Sequence, residues 1–116
     1  MVVRLASVLA LLPLAAAGCG GSGSISPERA QSCLKGKGKH VELRHMTHVS
    51  DAPVAQITGL GATAIAFYES TDEAARGADL LKRRLVAGRG SVERHGQANV
   101  FVADGAPDPA AVDCLS

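Results

Sequence analysis

Residues Ala62 to Leu85 read ATAIAFYESTDEAARGADLLKRRL, and their pattern decides the fold. Thr63 to Tyr68 is almost continuously apolar. Ile65 and Phe67 fall on one face of an extended chain, and Ala64, Ala66 and Tyr68 on the other. A run that is apolar on both faces suits an interior strand. Ser70 then opens S-x-x-E with Glu73, a capping-box pattern, and Asp72 and Glu73 set negative charge at the positive end of a helix dipole. Ala74, Ala78, Leu81 and Leu85 follow at helical spacing as one narrow apolar stripe. Asp72 with Arg76 and Asp79 with Arg83 make i,i+4 pairs on the opposite side. Lys82, Arg83 and Arg84 complement the other end of the dipole, and Gly88 is placed to close the helix.

Around this strand and helix the chain supplies two flanking units. Ser26-Pro27-Glu28 is a helix start, with Ser as cap and Pro in the first turn. That helix carries Ala30, Cys33 and Leu34 on one side and stops at Gly36. His40 to Arg44 alternates, with Val41 and Leu43 inward, as a half-buried strand does. Between His45 and Gly61 the pattern is weak: Asp51-Ala52-Pro53 signals a turn, and Val54 to Thr58 is offered as a short edge strand. Ser91 to His95 and Ala98 to Ala103 read as a hairpin around Gly96, and Asp108-Pro109 caps a short last helix. The resulting order, α-β-β-α-β-β-α, predicts an α/β (α+β) two-layer sandwich. Its helices lie on one face of a mainly antiparallel four-stranded sheet, ferredoxin-like with shifted ends.

The N-terminus has a different character. Met1 to Arg4 is a short basic start, and Leu5 to Ala17 is an apolar run too short to span a bilayer comfortably. It ends in Leu14-Ala15-Ala16-Ala17-Gly18-Cys19. This segment resembles a bacterial lipoprotein signal peptide with its lipobox, with Ala16 where that family usually carries Leu. The resemblance implies cleavage before Cys19, a diacylglycerol on its thiol and a location on the outer side of the cell membrane; the alternative is ordinary secretion with cleavage after Ala17. Gly20 to Ser24 is a flexible tether, as an anchored domain needs. The expected organisation is therefore signal peptide 1–18, lipidated Cys19 and tether 19–25, and one domain 26–116. The pattern of the whole chain is similar to that of small lipoproteins of high-GC bacteria. It shares with them Cys33-Leu34, the apolar strand Ile65 to Phe67, the acidic cap Asp72-Glu73 and Cys114-Leu115. The resemblance implies no particular activity.

Composition narrows the functional classes. Removing residues 1–18 removes Arg4 and no acid, leaving 11 basic against 11 acidic residues. That balance speaks against nucleic acid as a partner. With Cys19 lipidated, Cys33 and Cys114 remain in an oxidising compartment, either as a disulfide joining the first and last helices or as two buried thiols. His40, His45 and His48 lie within nine residues, and imidazoles suit copper or zinc in an exported protein. This gives a metal-binding module as the alternative function. Lys82, Arg83, Arg84, Arg89, Arg94 and His95 are available to anionic headgroups, or simply to the dipole and to solvent. No G-x-S-x-G, H-E-x-x-H or Walker sequence occurs, and the acidic pairs are used as helix caps. The leading expectation is a non-enzymatic, cofactor-free binding domain, held to the membrane by lipid and facing an envelope protein partner.

Overall fold

The structure is a computed structural model that describes residues 25–85 and 88–116. The predicted signal peptide and Cys19 lie outside the described residues. Three helices and five strands follow in the order α1 (Pro27–Gly36), β1 (Glu42–His45), β2 (Ala55–Leu60), β3 (Thr63–Phe67), α2 (Thr71–Arg84), β4 (Ser91–His95), β5 (Ala98–Val102) and α3 (Pro109–Leu115). One sheet runs β1-β2-β3-β5-β4, with every neighbouring pair antiparallel. Among the described residues no helix is long and apolar enough to cross a membrane.

β3 is the middle strand, as its two-sided apolar run requires. On one face Ile65 pairs with Ile57 of β2 and Val100 of β5, and all three are buried to within 1% of complete. Leu34 of α1 and Leu115 of α3 close over them, so α1 and α3 share this face. Side chains of this size contribute about 2 kcal/mol each when fully buried. On the other face Ala64 lies opposite Phe101, and Ala66 opposite Asn99. Here Ala66 and Tyr68 pack on Ala74 of α2. The buried residues of α2 are Ala74, Gly77 and Ala78, all small, so this helix sits close to the sheet.

Two expectations are corrected. The sheet has five strands, because Ala55–Leu60 is a full strand between β1 and β3 rather than a short edge piece. β2 contributes few large apolar groups, namely Ile57 and Leu60, and its other face carries Gln56 and Thr58, so its alternation reads weakly in sequence. Helices also cover both faces instead of one, so neither the two-layer arrangement nor the ferredoxin-like order is matched. The cause is β3 itself: a strand apolar on both sides needs a layer on each.

Local rules account for the boundaries. Ser26, Ser70 and Asp108 accept from Arg29 N, Glu73 N and Ala110 N and cap the three helices. The hairpins β2–β3 and β4–β5 have two-residue loops, Gly61-Ala62 and Gly96-Gln97. In each the glycine takes positive φ, 68° and 62°, at the first loop position, where type II′ turns need it. Thr63 Oγ1 accepts from Asp108 N at 3.0 Å, and Lys39 reaches Asp108 at 3.1 Å, so the α3 cap is tied both to β3 and to the segment before β1.

Cys33 and Cys114 are joined as a disulfide, with 5.7 Å between Cα atoms. It links α1 to α3 across 81 residues of chain. A loop of that length is worth about 4 kcal/mol in the chain-entropy account. Replacing both cysteines with alanine should therefore lower unfolding stability by roughly that amount in a urea titration, and reduction of the intact protein should add the mass of two hydrogens.

Gly77 faces the ring of Tyr68, and a Cβ built there would collide with Cε2 and the phenol oxygen. Alanine is the better helix former by about 1 kcal/mol. The buried ring must nevertheless move to admit a methyl group. Gly77→Ala should thus destabilise the fold by about 1–3 kcal/mol in thermal unfolding.

Candidate functional site

α2 crosses the sheet over β4 and β5. It therefore leaves part of the same face of β2 and β3 without a helix above it. The gap is a groove of about 440 Å³. Its floor is Gln56, Ala64, Ala66, Tyr68 and Phe101, and its long wall is Gly77, Leu80, Leu81 and Arg84 of α2. The segment Asp51-Ala52-Pro53 closes one end. Small side chains on the floor and Gly77 in the wall create the depth. Leu80 stands at the lip with 44% of its surface in solvent, one of the exposed large apolar side chains of the described residues.

The closing segment is held on α2 by charge. Glu73 accepts from the Asp51 N–H at 3.0 Å, and its two oxygens lie 3.1 and 3.3 Å from His48 Nε2. Arg76 donates from Nε to Asp51 Oδ1 at 2.6 Å. Asp51 has φ +64°, left-handed for a residue with a side chain, and these two attachments hold it there. The capping box is thus half used. Ser70 accepts from Glu73 N, but the Glu73 carboxylate serves the β1–β2 connection. Arg76 likewise turns to Asp51 rather than taking Asp72 as its i,i+4 partner.

Glu73 raises the imidazole of His48 above its ordinary 6.5, chiefly through their hydrogen bond. The Tyr68 phenol is pushed up by burial, with Asn99 pulling the other way. Asn99 is itself fully buried; its Nδ2 donates to Ala74 O at 2.9 Å and fastens α2 to β5, while its Oδ1 has no partner among the described residues.

The predicted histidine set is dispersed. His45 Nε2 lies 3.0 Å from Glu28 of α1, on one side of the sheet. His48 goes to Glu73 of α2, on the other. His40 lines a shallow depression with Lys35, Lys39 and Glu42. Among the described residues no group of three His, Cys, Asp or Glu side chains converges as metal ligands do. The basic residues near the end of α2 are also divided: Arg89 pairs with Asp104 at 3.3 Å, and His95 lies 3.3 Å from Glu93. Arg84 enters none of the ion pairs of the described residues and lines the groove.

None of the groove residues stands out in the sequence as a site. The available signal is Leu80, which lies off the stripe of Ala74, Ala78, Leu81 and Leu85 and so gives α2 a second apolar edge. No family model, curated protein or solved structure matches this chain, so function is argued from the groove itself.

The pairing of His48 has a pH signature. A raised folded pKa means that this contribution to stability is complete below the unfolded value of 6.5 and is lost as pH rises through the folded one. An NMR titration should place the His48 midpoint above 6.5, and Glu73→Gln should bring it down; an unchanged midpoint in that variant would contradict the pairing.

Proposed function

We propose that this chain is a lipid-anchored protein of the cell envelope whose folded domain acts by binding rather than by catalysis. The observation that carries the reading is the groove between α2 and the sheet. It offers a mainly apolar surface, with Ala64, Ala66 and Phe101 below, Leu80 and Leu81 beside, and Gln56 next to Ala66. Its charged members sit at the ends: Asp51 is engaged by Arg76, and Arg84 faces outward. An apolar cleft with a few polar groups at its margin is the usual form of a binding site.

Two further features support an anchored binder. The lipobox-like Leu14 to Cys19 and the Gly-Ser run Gly20 to Ser24 supply an anchor and a tether. The tether meets the domain at Ile25, which packs on the core shared by α1 and α3. The groove opens on the opposite face of the sheet, away from that attachment. A domain held on this side presents its groove to the envelope space and leaves it free for a partner there.

Two measurements test the reading. Cys19→Ser should move the protein from the membrane fraction to the soluble exported fraction. A photo-reactive residue at Leu80 of the anchored protein should give adducts with envelope components that the same residue at Ser32, exposed on α1, does not give. Equal labelling at both positions would end the proposal that the groove is the binding surface.

A further inference from the structure

We infer that the groove takes a single-chain amphiphile carrying one anionic headgroup, of which a fatty carboxylate is the simplest. This deepens the binding reading above and rests on it. A volume of about 440 Å³ lies in the range of small-molecule sites. The α2 wall runs only from Gly77 to Arg84, two helical turns. Seven rises of 1.5 Å make that wall about 10 Å long, the reach of a short extended acyl chain.

The lining distributes its chemistry along the groove. Its middle is Ala64, Ala66, Phe101, Leu80 and Leu81, which match hydrocarbon, with the half-buried Gln56 amide beside Ala66. The charges at the two ends differ in what they have left to offer. Asp51 is satisfied by Arg76 at 2.6 Å, so that end offers an anion no free cation. Arg84 has no carboxylate partner among the described residues and stands in solvent at the lip. The groove thus has one uncompensated positive charge at one end of an apolar trough. The final carbonyls of α2 oppose an anion there, but Lys82, Arg83 and Arg84 all lie in that last turn and outweigh them. The exposed Leu80 beside Arg84 gives the first methylenes of the chain an apolar contact at the entrance.

The protein carries its own reporter. Tyr68 is its one tyrosine, there is no tryptophan, and Tyr68 lines the groove. The exported domain is titrated with decanoate, decanol and decyltrimethylammonium, each below its aggregation threshold, while Tyr68 emission is followed. Decanoate should bind saturably, decanol about fivefold more weakly for want of the Arg84 contact, and the cation most weakly of all. Arg84→Gln should bring decanoate to the level of decanol, and Leu80→Asn should weaken both. Both side chains are exposed, so the melting temperature serves as a control for folding.

If decanol binds as tightly as decanoate, the anionic headgroup is overturned while the groove remains a binding surface. If the cation binds best, the charge assignment is reversed and the inference fails. If no ligand moves Tyr68 emission, the amphiphile is overturned, and adduct formation at Leu80 decides separately whether the groove binds anything else.

Discussion

Everything in this molecule follows from the need to cover β3 on both sides. A five-residue strand with Ile65 and Phe67 on one face and Ala64 and Ala66 on the other cannot be left at an edge or beneath a single layer. One side is filled by large aliphatic groups meeting α1 and α3, around Ile57, Ile65, Val100, Leu34 and Leu115. The other is filled by small ones, with Ala66 and Tyr68 against Ala74. The two layers therefore differ in depth. The first is a thick core closed by a covalent link, and the second a thin one in which a single helix rests on alanine and glycine.

That asymmetry explains where the groove is. A helix with Ala74, Gly77 and Ala78 inward approaches the sheet closely but covers little of it. Its position over β4 and β5 leaves Ala64 of β3 and Gln56 of β2 without a lid. The β1–β2 connection bridges part of the gap by engaging the first turns of α2, through Glu73 with His48 and the Asp51 N–H, and through Arg76 with the Asp51 carboxylate. The thin layer is thus pinned at its first turns, by charge and by Asn99 on the Ala74 carbonyl, and is open toward Arg84.

Much of the architecture is legible in the residues because local rules agree with the tertiary outcome. The caps at Ser26, Ser70 and Asp108, the hairpin glycine Gly96, the central strand and the pairing of Cys33 with Cys114 are all written in short-range pattern or in arithmetic. β2 is harder to read because tertiary neighbours, not its own composition, make it an interior strand. Its Gln56 and Thr58 face the uncovered region, so they carry no burial signature. The groove is less legible still. It arises from where α2 lies laterally on the sheet, a property of Gly77 meeting Tyr68 rather than of any motif. The histidines show how little closeness in sequence says about closeness of side chains. His45 and His48 are three residues apart, yet they are engaged by carboxylates on opposite layers.

The bond between Cys33 and Cys114 also governs how the protein meets peptidases. It closes a ring that contains every strand, the central helix and the exposed stretch His48 to Ser50. A cut within that stretch opens the ring without splitting the molecule in two, since both pieces stay linked through sulfur. Loss of material then requires a second cleavage or a reductant, so a nicked copy differs from the intact one by one added water and keeps its two outer helices side by side.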